Sequence, residues 1–225
     1  MTNTSRRLLL ASACAGLGLF SALTAQAQRG LWYVKADAGG NITPNANLDE
    51  FFGPVAPGSK VQFNPGVRLG VASGYFFADW FSLEGEVGVM ANNIESITDA
   101  DVVDATFSNV PFLVNARFQC PRCGRFVPYI GGGLGGSFSI LDANQITLNG
   151  TTLNGTMTDV VFAYQGFAGL KYKINDSMGV GVEFRYFATT SPSWEPEVVI
   201  GTASDQLQFG RIQTYAISLT FDWHF

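Results

Sequence analysis

Charge is scarce in this chain: only 14% of its 225 residues are Asp, Glu, Lys or Arg. With 13 basic against 18 acidic residues and a formal charge of −5, no basic stripe is available to grip a phosphate backbone, so nucleic-acid binding is excluded. One His and 3 Cys leave little for a metal cluster or for a hydrolytic triad. After Ala27 there is no run of about 18 apolar residues, which removes a membrane-spanning helix. Glycine (26) and Phe (19) are plentiful in a chain that is 47% hydrophobic, the composition of an aromatic-rich β protein rather than a helical enzyme. The length suits one domain.

Residues 1–27 read as a cleaved signal peptide. Arg6 and Arg7 precede an apolar run from Leu8 to Leu23, and Ala25-Gln26-Ala27 is the small-x-small pattern a signal peptidase reads. An uncleaved anchor fits less well, because Ser12, Gly16, Gly18 and Ser21 interrupt the run and no basic stop-transfer flank follows. Lipidation at Cys14 would leave half of the run attached to the product, and the twin-arginine likeness of Arg6-Arg7 is faint. The mature domain is therefore residues 28–225. Loss of Arg6 and Arg7 lowers the basic count from 13 to 11 against 18 acids, a charge of −7.

The mature chain alternates with the period of a β-strand. Trp32, Val34, Ala36 and Ala38 share one face, while Tyr33, Lys35, Asp37 and Gly39 share the other. The same alternation marks strands over 63–72, 81–89, 109–118, 126–138, 162–172, 179–187 and 215–225, eight in all with the first. The fifth of these has an inner face that is almost all glycine, read here as relief of crowding inside a narrow barrel, with space left along that strand as the alternative. The apolar faces end in Trp32, Trp80, Phe81, Phe118, Tyr172, Trp223 and Phe225, as a membrane-interface girdle would. The opposite faces carry Lys35, Arg68, Arg117, Lys171 and Arg185 together with Asp37, Glu84, Glu86, Glu183 and Asp222. Five bases and five acids can neutralise one another inside a closed barrel, where a lone charge would be costly. The expected fold is all-β: an eight-stranded antiparallel, up-and-down transmembrane β-barrel.

Connection lengths support this. Long ones lie near 41–60, 91–105, 139–158 and 188–209, and short ones near 76–79, 119–125 and 174–177, as on the two rims of an outer-membrane barrel. The long set is acidic: Asp49, Glu50, Glu95, Asp99, Asp101, Asp104, Asp142, Glu195, Glu197 and Asp205 stand against Lys60 alone.

Four local motifs carry less than they promise. Gly131, Gly133 and Gly136 have dinucleotide-fingerprint spacing but no βαβ context, so no cofactor is expected. Cys120-Pro121-Arg122-Cys123 reads as half a zinc site, a redox pair or a local disulfide; without a second Cys pair or a thioredoxin-like unit, a disulfide clipping the turn is favoured over free thiols. Thr147-Leu148-Asn149-Gly150-Thr151 repeats as Thr152-Leu153-Asn154-Gly155-Thr156, which places ordered turns or a hairpin extension in the third long connection. His224 sits two residues from Asp222 at same-face spacing, a polar pair near the terminus and away from any substrate-bearing rim, so no enzyme is expected.

Gly66-Val67-Arg68-Leu69-Gly70, Ser82-Leu83-Glu84-Gly85-Glu86, Val110-Pro111-Phe112-Leu113-Val114-Asn115, Pro128-Tyr129-Ile130-Gly131-Gly132-Gly133-Leu134-Gly135 and Phe162-Ala163-Tyr164-Gln165-Gly166 resemble the opacity-type, outer-membrane-protein-A-like, porin-like β-barrel family. The resemblance spans residues 30 to 225 and implies a bacterial outer-membrane protein among outer-membrane lipids. The last strand, ending in Phe225, resembles the signal read by the barrel-assembly machinery. No peptidoglycan-binding domain of the kind found in larger family members follows the barrel, so it is expected to act alone and as a monomer.

Two functions remain open: a structural or adhesion-like protein whose external loops meet an extracellular ligand or receptor, and a narrow porin-like channel for small solutes or cations. The first is preferred, since eight strands enclose a bore that side chains fill.

Overall fold

The computed structural model describes residues 32–51, 55–148, 151–194 and 207–225. The leader assigned to 1–27, the Asn149-Gly150 turn and the acids Glu195, Glu197 and Asp205 lie outside the described residues. Among the described residues twelve strands follow one another: β1 (Trp32–Ile42), β2 (Ala46–Phe51), β3 (Lys60–Phe63), β4 (Gly66–Ala78), β5 (Phe81–Ile97), β6 (Asp101–Gln119), β7 (Phe126–Leu148), β8 (Thr151–Lys173), β9 (Met178–Thr189), β10 (Ser193–Trp194), β11 (Leu207–Phe209) and β12 (Gln213–His224). Eight of them close a ring in the order β1-β4-β5-β6-β7-β8-β9-β12, antiparallel throughout. Closure is made by β1 and β12, in register from Tyr33↔His224 to Ile42↔Tyr215. A closed ring leaves no strand edge unpaired, the condition for a sheet to stand in hydrocarbon.

These eight are the strands that alternation in the sequence picks out, with one start moved inward and several other bounds extended. Phe63 does not begin the second barrel strand. Pro65, which has no N–H for a ladder, separates β3 from β4, and Phe63 belongs to the shorter strand.

The outward face is apolar. Leu219 is 70% exposed and Ile217 62%, values that make sense only against lipid. At the short-turn end, rings lie side by side from Trp32 to Tyr75 (5.0 Å), Tyr75 to Phe77 (5.0 Å), Phe77 to Phe81 (6.1 Å) and Phe81 to Phe118 (5.2 Å). All of the girdle residues expected from the sequence fall at this end. A second belt, which sequence reading did not single out, includes Tyr164, Tyr186 and Tyr215, with Tyr186 and Tyr215 5.4 Å apart.

The long connections are the main departure from expectation. Those near 91–105 and 139–158 are not loops: β5 and β6 run on to Ile97 and from Asp101, while β7 and β8 run on to Leu148 and from Thr151. Asp99 turns the first of these hairpins at φ 59°, a left-handed conformation that Asp tolerates. The other two long connections hold β2, β3, β10 and β11, which add to β5 in the order β10-β11-β2-β3-β5. Phe63, Trp194, Leu207 and Phe209 of these strands pack with Phe107 of β6 and Leu141 of β7 into an apolar core over the bore. Trp194 is buried edge-on against Phe107 and Phe209, and its Nε1–H donates to the Ser139 carbonyl at 3.1 Å. Burial of these side chains is what turns connecting segments into a strand-built cap.

The two belts fix depth. Leu219 lies four residues from both Trp223 and Tyr215, whereas Leu83 lies two from Phe81. Leu219→Arg is expected to cost about 2–4 kcal/mol in reversible folding into liposomes, and Leu83→Arg about 0–1 kcal/mol. Equal losses would contradict this placement.

Candidate functional site: the charged bore

Strand parity delivers the site. Inward positions on β1 (Lys35, Asp37), β4 (Arg68), β5 (Glu84, Glu86), β6 (Arg117), β8 (Lys171), β9 (Glu183, Arg185) and β12 (Asp222) bring all ten sequence-selected charges into the bore, each at most 5% exposed. They are joined in one unbranched line of alternating sign. Asp37 meets Arg68 (2.7 Å), Arg68 meets Glu86 (2.6 Å), and Glu86 meets Arg185 (2.6 Å). Arg185 then contacts Glu183, which meets Lys35 at 3.1 Å, and Lys35 reaches Glu84 at 3.4 Å. Glu84 meets Arg117 (3.2 Å), Arg117 meets Asp222 (3.3 Å), and Asp222 ends on Lys171 (3.1 Å).

Ring order shows what this line spans. β5 and β9 stand four places apart in a ring of eight, as do β6 and β12. Glu86–Arg185 and Arg117–Asp222 therefore tie opposite walls across the bore. Five cations and five anions cancel, which offsets much of the cost of taking them out of water.

Uncharged groups complete the filling. Glu86 also accepts from Asn115 Nδ2 (2.7 Å) and Gln165 Nε2 (2.9 Å). Tyr33 and Tyr129 donate their hydroxyls to Glu84 and Glu183. The Arg117 guanidinium lies 4.0 Å from the Tyr129 ring centre, and Lys35 Nζ 4.9 Å from that of Phe167. Tyr129 and Phe167 are the participants that sequence reading missed. Their inward parity on β7 and β8 was the available signal, masked because an aromatic residue looks equally suited to lipid.

The glycine-rich inner face of β7 leaves no spare room. A Cβ at Gly131 would run into the Phe167 ring, one at Gly133 into the Asn115 amide, and one at Gly135 into the backbone at Phe112. The glycines exist because neighbouring side chains and strands already occupy that space. Val127, Tyr129, Ser137 and Ser139 share this face, so it is less glycine-dominated than expected.

His224 does not pair directly with Asp222. Its Nε2 lies 3.3 Å from Lys171 Nζ, and its ring stacks near Tyr33 (5.4 Å) and Phe76 (5.7 Å) at the short-turn end of the bore. Lys171, on β8, takes the Asp222 carboxylate instead. Cys120 and Cys123 form a disulfide in the β6–β7 turn. Phe225 donates its N–H to the Trp32 carbonyl at 3.0 Å. Among the described residues, no group of three or more His, Cys, Asp or Glu side chains could hold a metal ion.

Position along the line predicts energetics. Glu86→Ala takes one of two carboxylate partners from both Arg68 and Arg185, cuts the line in its middle and leaves the bore with an uncompensated positive charge, and is expected to cost about 3–5 kcal/mol in urea unfolding from liposomes. Lys171→Met, at the line's end, leaves Asp222 with Arg117 and should cost less than half as much. Equal costs would mean the line is not an energetic unit.

A family model described as outer membrane protein beta-barrel domain matches residues 12–225. No curated protein matches the chain. Among solved structures, the outer membrane protein OprG from Pseudomonas aeruginosa is 17% identical and superposes with a TM-score of 0.58, covering 88% of this chain and 98% of that one. AlkL, solved in DMPC lipid bilayers, is 15% identical with a TM-score of 0.54, covering 91% of this chain and 94% of its own. At such identities the likeness is one of fold. The family match over nearly the whole length, together with the closed eight-stranded ring, means that the chain belongs to the outer membrane protein β-barrel domain family and resides in the bacterial outer membrane.

Proposed function

We propose that this barrel is a non-conducting envelope protein that acts through its external cap, with a structural and surface-interaction role. The observation that carries the reading is a bore filled by cross-wall ion pairs beneath an apolar core, leaving the strand-built cap as the part available to partners. Asp49, Glu95, Asp99, Asp104 and Asp142 are exposed at that end. Lys60 and Arg211 are the exposed basic residues there among the described residues, Arg211 being one that the sequence reading did not count. An acidic, rigid platform favours a cationic extracellular ligand or receptor, and steers it at low ionic strength. The porin-like alternative draws on room beside the β7 glycines and on acidic loops that concentrate cations; the clashes a Cβ would meet at Gly131, Gly133 and Gly135 favour the filled bore.

Zwitterionic liposomes carrying the folded barrel are expected to attach to a surface coated with basic protein, with attachment falling as salt rises. The combined variant Asp49→Asn, Glu95→Gln, Asp99→Asn and Asp104→Asn should lose most of that attachment. Equal attachment by the variant and the wild type would remove the acidic cap from the account. Anchoring among outer-membrane lipids, delivery by the barrel-assembly machinery through Phe225, and a monomeric state complete the proposal.

A further inference from the structure

The disulfide at the short-turn rim is not explained by the barrel's stability or by its cap. Cys120 and Cys123 are three residues apart, in a turn whose flanks are already fixed by the β6–β7 ladder, with Gln119 opposite Tyr129. Further hydrogen bonds hold the turn: Cys120 N–H to the Pro128 carbonyl (3.1 Å), Gln119 N–H to Trp80 (2.9 Å) and Lys173 N–H to Arg125 (2.8 Å). The loop-closure contribution of a disulfide grows with the logarithm of the loop it closes, and this loop is close to the shortest available, so its contribution is near the minimum for a disulfide.

The same turn is open to attack. Cys123 is exposed, as are Pro121, Arg122, Gly124 and Arg125, and the space around Gly124 is empty to 4 Å from where a Cβ would stand. Trp80, Phe118 and Phe126, at the adjoining strand ends, belong to the aromatic belt, so the sulfurs lie beyond the apolar band. Arg122 lies inside the ring and Arg125 two residues past it, supplying positive charge beside a sulfur that must leave as thiolate.

We propose that Cys120–Cys123 is an exchangeable disulfide, and that its partner is a Cys-x-x-Cys dithiol on the same side of the membrane. A partner thiolate attacks the exposed Cys123 Sγ. The Sγ–Sγ bond breaks, and its electron pair leaves on Cys120 Sγ, which takes up a proton. The partner's second thiol, losing its proton, then attacks the partner sulfur of the mixed disulfide and releases Cys123 as thiolate. The chain gains two electrons, the partner dithiol becomes a disulfide, and the reverse sequence restores the starting state.

The test uses the folded barrel in liposomes, a reduced Cys-x-x-Cys peptide as the probe, and maleimide-polyethylene glycol labelling read on a gel that preserves the folded band. The expected result is a gain of two labels per chain while the band stays folded. Offered the disulfide-linked dimer of a Cys-x-x-Ser peptide, Cys120→Ser should form a mixed disulfide through Cys123 with release of one peptide thiol, and Cys123→Ser should form less. The double variant Cys120→Ser/Cys123→Ser should lower the urea midpoint much less than Glu86→Ala does. Labelling only after unfolding, or a midpoint lowered as far as by Glu86→Ala, would make the disulfide a structural clip and overturn the proposal.

Discussion

Everything in this molecule answers to one electrostatic constraint: a ring that closes in lipid must neutralise whatever charge it encloses. Hydrocarbon on the outside forces every ladder hydrogen bond to be made within the sheet, so the ring has no edge. The inward half of each strand is then sealed from bulk water. Ten charges in that space are stable only if each finds an opposite partner, and the line from Asp37 to Lys171 provides one for every member.

Neutralisation and obstruction are the same act here. An Arg or Lys long enough to reach a carboxylate on the far wall must cross the bore, as Arg185 does to Glu86 and Arg117 to Asp222. Guanidinium groups then pack on Tyr129 and Phe167, and glycines on β7 give way to those rings and to Asn115. Above this polar plug, the interior changes character to the apolar core of the cap. The protein thus has two differently built interiors in one tube, a charged one within the membrane and an apolar one beyond it.

Much of this was legible in the sequence, for a physical reason. A period of two with lipid on one side and paired charges on the other leaves a strong pattern, so Lys35, Glu84 or Arg185 could be assigned to the bore from parity alone. The pairings themselves were not legible, because Glu86 and Arg185 meet only once the ring has closed. The cap was missed for a different reason. β2, β3, β10 and β11 are six, four, two and three residues long, too short to display a period, and polar outer residues such as Asn47, Asp49, Lys60 and Gln62 resemble loop. Only the buried partners of Trp194 and Phe209 reveal those segments as structure.

The most direct measurement of the central claim is single-channel conductance of the refolded residues 28–225 in a planar bilayer, with insertion verified independently. The account predicts silence, since cross-wall ion pairs occupy the bore. A steady ionic current through the wild-type barrel, altered by Glu84→Gln or Glu86→Gln, would contradict it.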